Sequence, residues 1–392
     1  MKPWHGTENK RREEKRVKNN KNGNAALVAV LIMIILIGIG AIVMMLGGRN
    51  DIKDTDDNPQ EKKNNVVTTT TTAATAPVPE TPKEVDLYLK QSPDFKKTDI
   101  KGLTSQATLL ADLDDDVIYA GSNMDLRIYP ASLTKVLTVL VACENAKSYD
   151  DTYTFKPEDL APLEEENASM AGFKPGEKVT IMDLLYGAVL PSGADACVGL
   201  ENAIAGSKDK FMELMNKRIQ ELGLKNTHFT NTTGLHDEKH YTTLADMAVI
   251  MKVANHNVTC RKVLNTMKYT TAQTQQNPTG IDLQCTVLGR VSGFFIDKNG
   301  NGSNDDSISI TGGKTGYTNE AGFAMATFAK DTDNGHTYCC IISKSSTAAT
   351  CGSETVAMFE KYVPGSKAKV PGTADAAAPA TTTAAAAAKP AA

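Results

Sequence analysis

The sequence predicts an α+β fold in one folded unit, residues 85–365, about 280 residues and ample for a sizeable core. Three observations predict it. Helical periodicity runs through Lys208 to Leu222, where Phe211, Leu214, Met215, Ile219 and Leu222 share a face, and again through Leu244 to Ala254. Apolar strand pairs are split by turn residues: Ala107 to Leu113 and Val117 to Tyr119 flank Asp114-Asp115-Asp116, and Asp333-Asn334-Gly335 joins Ala321 to Phe328 with Thr337 to Ser343. Both ends of the unit are marked by abrupt changes of composition. Helices and an antiparallel sheet thus mix along the chain.

Residues 1–24 carry Lys2, Lys10, Arg11, Arg12, Lys15, Arg16, Lys18 and Lys21 against Glu8, Glu13 and Glu14. Ala25 to Leu46 is uncharged and apolar, roughly 33 Å as a helix, enough to cross a bilayer core. Residues 25–47 read as a transmembrane signal anchor, and the positive-inside rule keeps 1–24 cytoplasmic and the folded unit outside. A cleaved signal peptide is the competing reading, but the run exceeds a usual signal core and no small-x-small cleavage site directly follows it. Residues 48–84, rich in Thr, Pro and Asn, cannot bury a core and read as a disordered tether; residues 366–392, rich in Ala, Thr and Pro, read as a disordered tail.

The formal net charge of −4 comes with no basic stripe, which argues against a nucleic-acid partner. All seven cysteines, Cys143, Cys197, Cys260, Cys285, Cys339, Cys340 and Cys351, follow the apolar run. Their odd number and the lack of Cys-x-x-Cys spacing point to buried free thiols in a weakly oxidising setting, with no zinc site. Asp297 to Ser303 matches half of a calcium loop, yet Ile308 stands where the bidentate glutamate is needed, so a polar hairpin turn is expected. His228, His236, His240 and His256 lack zinc spacing and read as structural or cleft-edge residues. No metal or cofactor is expected.

The chemistry lies in three short motifs. Ser132-Leu133-Thr134-Lys135 follows Pro130 at the start of a predicted helix, Ser132 to about Glu144. Positions i and i+3 share a helical face, so a neutral Lys135 amine can take the Ser132 proton and make the hydroxyl a nucleophile. Pro191-Ser192-Gly193-Ala194-Asp195 and Gly313-Lys314-Thr315-Gly316 come next in chain order. Singly, each has a plain reading as a turn or a strand end.

In that order, and with Asp183-Leu184-Leu185-Tyr186-Gly187, His240-Tyr241-Thr242-Thr243 and Tyr317-Thr318 beside them, the motifs resemble the low-molecular-weight penicillin-binding proteins that are D-alanyl-D-alanine carboxypeptidases. The resemblance spans Asp86 to Pro364. It implies a β-lactamase/penicillin-binding-protein-like transpeptidase fold, a five-stranded antiparallel sheet packed between helices, with the nucleophile at a helix start. It implies Ser132 as nucleophile, Lys135 as base and Ser192 as proton relay. Lys314 and Thr315 would hold the terminal carboxylate, Gly316 would let the substrate lie close, and the oxyanion would rest on the N–H groups of Ser132 and Tyr317. The implied partners are peptidoglycan stem peptides ending in D-Ala-D-Ala and β-lactam antibiotics as acylating inhibitors.

One position departs from the family: the second motif usually carries Asn two residues after its serine, and here Ala194 stands there. Slower turnover is expected. Three readings stay open: a membrane-anchored D,D-carboxypeptidase, also capable of endopeptidase cleavage; a β-lactamase, with Glu213 the nearest plausible water-holding carboxylate; and a non-catalytic wall-binding module.

Overall fold

The computed structural model describes residues 87–99, 102–291, 295–297 and 307–365, all in the unit Glu80–Ala392. The segments 1–24, 25–47, 48–84 and 366–392 singled out above lie outside the described residues. Among the described residues no helix is long and apolar enough to cross a membrane.

Strands β1 (Lys90–Lys97), β2 (Ala107–Asp112) and β3 (Val117–Ser122) lead into a 3-10 turn, Ala131–Thr134, and helix α1 (Lys135–Asn145). A largely helical stretch follows: β4 (Thr152–Thr154), α2 (Pro157–Glu165), β5 (Lys178–Thr180), α3 (Ile181–Val189), α4 (Ala194–Leu200), the π-helical turn Glu201–Ala205, α5 (Lys208–Glu221), α6 (Leu244–His256) and α7 (Val258–Leu264). The chain then returns to the sheet through β6 (Lys268–Thr270), β7 (Asp282–Gln284), α8 (Leu288–Val291), β8 (Phe295–Asp297), β9 (Ser307–Thr318), β10 (Gly322–Asp331) and β11 (Thr337–Ser345). It ends in α9 (Ala348–Tyr362).

The predicted hairpins form where their turn residues dictate. Asp112 Oδ1 accepts from the N–H groups of Asp114 and Asp115 at 2.9 and 3.1 Å, which folds the acidic run into the β2–β3 turn. Gly335, at φ 74°, closes the β10–β11 turn by donating to Asp331 O. β8 and β9 pair antiparallel with Asp297 opposite Ser307; the residues that resemble half a calcium loop beyond Asp297 lie outside the described residues.

The main sheet has seven strands in the order β1-β3-β2-β11-β10-β9-β8, not five. β2, β3, β9, β10 and β11 form the expected antiparallel set. β8 extends one edge, and β1 joins the other in parallel with β3, making the sheet mixed. β1 lacks alternating apolar residues, and its register shifts between Gln91 and Lys96, around Pro93. A proline is tolerated there because the strand lies on an edge.

Every residue of β2 is buried, so both faces are covered; α6 and α9 both pack on β2 and β11. On the helical side α1 is the hub. Its residues from Lys135 to Cys143 are all buried, against α3, α5, α6 and α7. Ser207 and Thr243 cap α5 and α6 by accepting from the N–H groups of Lys210 and Asp246. All seven cysteines are free and buried.

Candidate active site

The first motif sits where the 3-10 turn becomes α1. Ala131 lies at φ 48°, a left-handed backbone that a non-glycine residue adopts only when its surroundings enforce it. The bend leaves Ser132 half-buried at the helix mouth and sends Lys135, 2% exposed, inward. Lys135 Nζ lies 3.0 Å from Ser132 Oγ and 2.5 Å from Thr233 O. Burial pushes the amine below its ordinary value; Cys197 and Asp195 pull weakly the other way. Asp195 does not pair with it. Its carboxylate accepts from the N–H groups of Ala171, Gly172, Phe173 and Ala196 at 2.7–3.2 Å, which ties a loop to the second motif.

Ser192, between α3 and α4, is also a left-handed non-glycine, at φ 68°, and is buried. Lys314 approaches it from β9. Its Nζ donates to Ser192 Oγ at 2.8 Å and to Thr315 O at 2.9 Å. Lys314 is 0% exposed, and burial first, then the proximity of Lys135, drive its amine well below the ordinary value. Two amines thus face one buried region without a paired carboxylate, an arrangement that favours neutral amines or an incoming anion. Thr315 Oγ1 lies 2.7 Å from Thr286 Oγ1, so two hydroxyls stand together beside Lys314.

Gly316 joins the halves. A Cβ on it would stand 3.0 Å from Pro130 O and 3.4 Å from Ser132 N. The strand therefore runs directly against the nucleophile turn, a reason for glycine besides the substrate clearance expected of it. Tyr317 next to it is 50% exposed and stacks on Phe323 with ring centroids 4.3 Å apart.

The structure thus brings Ser132, Lys135, Ser192, Lys314, Thr315, Gly316 and Tyr317 to one place. It also supplies partners that sequence reasoning missed, the Thr233 carbonyl and Thr286, and gives contacts to two residues read only as motif neighbours or cleft-edge residues, Asp195 and His240. A backbone carbonyl leaves no side-chain signal. Asp195 stands beside a motif serine, yet only the fold reveals the four N–H groups it accepts from. Ala194 is 2% exposed, and its N–H donates to Ser169 O at 2.7 Å. Glu213 is exposed on α5, unsuited to holding a water in the pocket. Glu201 is a buried carboxylate a few residues after the second motif. Burial raises its carboxyl, and it accepts from Thr232 Oγ1 at 2.5 Å.

Among the described residues, Asp112, Asp115 and His336 place potential metal-ligand atoms within 4.8 Å of one another. They stand at the β2–β3 and β10–β11 turns, and His336 Nδ1 is bonded to Asp112 Oδ2 at 2.7 Å.

The chemical arrangement, an alcohol beside a depressed amine and a second alcohol beside a second amine, suits acyl transfer. Comparison with known proteins points the same way. The D-alanyl-D-alanine carboxypeptidase family profile matches residues 94–341. D-alanyl-D-alanine carboxypeptidase DacF of Bacillus subtilis is 32% identical over 242 residues, covering 60% of this chain and 57% of its own length. DacA of Escherichia coli K12 is 30% identical over 249 residues, covering 60% and 56%. The chain therefore spans just over half the length of these relatives. Among solved structures, the Streptomyces K15 DD-transpeptidase superposes with a TM-score of 0.56 at 26% identity, covering 67% of this chain and 98% of that one. Penicillin binding protein 5 from Haemophilus influenzae gives 0.56 at 28%, covering 66% and 71%.

Proposed function

The chain belongs to the D-alanyl-D-alanine carboxypeptidase family, and from that premise we propose that it is a serine D,D-carboxypeptidase acting on peptidoglycan stem peptides ending in D-Ala-D-Ala. The observation that carries the proposal is the pair of alcohol–amine contacts, Ser132–Lys135 at 3.0 Å and Ser192–Lys314 at 2.8 Å, on either side of Gly316.

Each residue has a step. The lone pair of a neutral Lys135 takes the Ser132 proton as Oγ bonds to the penultimate D-Ala carbonyl carbon. The oxyanion rests on the N–H groups of Ser132 and Tyr317. As the C–N bond breaks, the proton held on Lys135 passes through Ser192 to the leaving D-Ala nitrogen. Water then attacks the ester; its proton returns by the same route to Ser132, and the shortened peptide leaves. The Thr315 and Thr286 hydroxyls and the charge of Lys314 hold the substrate carboxylate, which supplies the negative charge the buried amines lack. A β-lactam acylates Ser132 by the same first step. Residues 25–47 anchor the enzyme in the cell membrane, with the N-terminus cytoplasmic and the catalytic unit outside.

The test is labelling with a fluorescent penicillin. The intact chain is expected to take a stable covalent label, and Ser132→Ala to take none. Label that turns over within minutes points to a β-lactamase, and absence of label in the intact chain to a non-catalytic wall-binding module.

A further inference from the structure

We propose that His240 is a positioning residue of this site, holding the nucleophile turn in its strained geometry through the Thr134 hydroxyl. The inference rests on the D,D-peptidase reading and deepens it.

The hydrogen bonds fix the direction of the relay. Thr230 N–H donates to His240 Nδ1 at 3.1 Å, so Nδ1 is an acceptor and a neutral ring carries its proton on Nε2. Nε2 faces Thr134 Oγ1 at 2.7 Å. The Thr134 hydroxyl has one proton, and it goes to Ala131 O at 2.8 Å. Thr230 Oγ1 also faces Nδ1, at 3.4 Å, and the chain ends on the carbonyl of the left-handed residue before Ser132. The ring is 2% exposed and stacks on Phe229, with centroids 4.7 Å apart and planes 5° from parallel. Burial pushes the imidazole down to about 3, with Asp237 opposing and His228, His236 and Lys135 reinforcing the shift. The ring therefore stays neutral near neutral pH, and its hydrogen bonds select the tautomer.

The segment between Thr230 and His240 grips the same turn from its other end. Asn231 Oδ1 accepts from Gly234 N at 2.7 Å and from Thr233 Oγ1 at 3.1 Å, and its Nδ2 donates to Leu235 O at 3.0 Å. That local turn presents Thr233 O to Lys135. Gly234, at φ 78°, packs so closely on Ala131 that any Cβ would collide with the Ala131 carbonyl. One segment thus orients the base through Thr233 and the nucleophile through His240. Without the Nε2 donor, Thr134 is free to turn, the Ala131 carbonyl loses its tether, and Ser132 drifts from Lys135.

The experiment uses the full chain and compares His240→Gln, His240→Asn, His240→Phe and Thr134→Val by the second-order rate of acylation by fluorescent penicillin and by thermal unfolding. The Gln amide reaches the ε position and keeps a donor on Thr134; its rate is expected within about threefold of wild type, whereas misplacement of the nucleophile costs the Asn and Phe variants roughly ten- to a hundredfold. Thr134→Val is expected to fall as far, and His240→Asn combined with it no further than the worse single change, because both cut one relay. A Phe variant as reactive as wild type, or Asn and Gln variants that react alike, would overturn the role. The imidazole 15N spectrum of the wild type supplies a readout independent of activity: an Nε2–H tautomer is expected, and an Nδ1–H tautomer in a protein that still takes label overturns the positioning role alone. A wild type that takes no label overturns the peptidase reading and the positioning role with it.

Discussion

The two alcohol–amine pairs resemble each other chemically and differ in how the chain builds them. Ser132 and Lys135 are three residues apart, on one turn, so the local backbone puts them within reach and distant residues only hold their 3.0 Å contact. Ser192 and Lys314 are 122 residues apart and meet at 2.8 Å only because β9 crosses the mouth of the helical region. In the proposed mechanism the local pair drives acylation, and its amine also holds a backbone carbonyl, Thr233 O. In the distant pair that mechanism gives Ser192 the proton relay and Lys314 the recognition, the amine being wholly buried and bonded to Ser192 Oγ and Thr315 O. Proximity in sequence suits the group that must move a proton over a fixed short path. Proximity in the fold suits the group that must close a pocket around a carboxylate.

The sharpest way to break that distinction is to remove each amine in turn. Lys135→Met removes the base and is expected to lower the acylation rate about 10²–10⁴-fold, with saturation by substrate little changed. Lys314→Met removes the carboxylate's counter-charge and is expected to cost about a hundredfold, chiefly as weaker substrate binding. Each change leaves the acceptors of its amine without that donor, Thr233 O for Lys135 and Ser192 Oγ and Thr315 O for Lys314, and removes a buried amine without a carboxylate partner, so the net loss of stability should stay within about 1–3 kcal/mol. Steady-state kinetics on a peptide ending in D-Ala-D-Ala, with thermal unfolding alongside, checks both. Equal losses with the same division between kcat and KM would erase the difference between the pairs.

The pH dependence sharpens the comparison next. Burial lowers the Lys135 amine, and acylation needs its lone pair. The rate is therefore expected to rise with pH along a one-proton limb lying below the ordinary lysine value of 10.5. Stability carries the same sign for each depressed group. A depressed His or Lys binds fewer protons folded than unfolded, so its contribution is full above its ordinary value and is lost as pH falls toward the folded one. For His240 that window runs from 6.5 down to about 3. Asp195 and Glu201, raised by burial, act in the opposite sense near the carboxylate range, so the difference between two proteins isolates the histidine. Between pH 7 and pH 5 the wild type is expected to lose about 2 kcal/mol more than His240→Gln in denaturant titrations. Equal losses would mean that the ring titrates normally in the fold.

The same local-versus-distant contrast explains what the sequence made legible. Helices α5 and α6 announce themselves because their apolar residues repeat at helical spacing, and the β2–β3 and β10–β11 hairpins because acidic or Asp-Asn-Gly runs interrupt apolar strands. β1 is polar and contains Pro93, so nothing in its pattern marks an edge strand that pairs in parallel. Helix α9 buries Cys351, Gly352, Glu354, Thr355, Met358 and Phe359; only Met358 and Phe359 are large and apolar, so the face carries little periodic signal. Within the site, Ser132 and Lys135 follow from spacing. Ser192 and Lys314 come together in a sequence reading only through family resemblance. Thr286 and the Thr233 carbonyl belong to segments whose approach to the motifs is decided by the packing of the whole unit.

The smallest expected effect concerns Ala194, where the family usually places asparagine. A neutral Lys135 has one lone pair and two N–H groups. The lone pair faces Ser132 Oγ, one N–H is satisfied by Thr233 O, and an asparagine amide oxygen would serve the other. Supplying that bond is worth about 0.5–1.5 kcal/mol, so Ala194→Asn is expected to speed acylation about two- to tenfold. The gain depends on room, because Ala194 is 2% exposed and its backbone is tied to Ser169 O. Thermal unfolding separates the outcomes: a faster, equally stable variant shows that the amine lacks only a partner. A variant that unfolds earlier and reacts no faster shows that the second-motif loop has closed around the smaller side chain. In that case the local pair works at its full rate without the amide, and the contrast with the distant pair becomes wider than the family pattern implies.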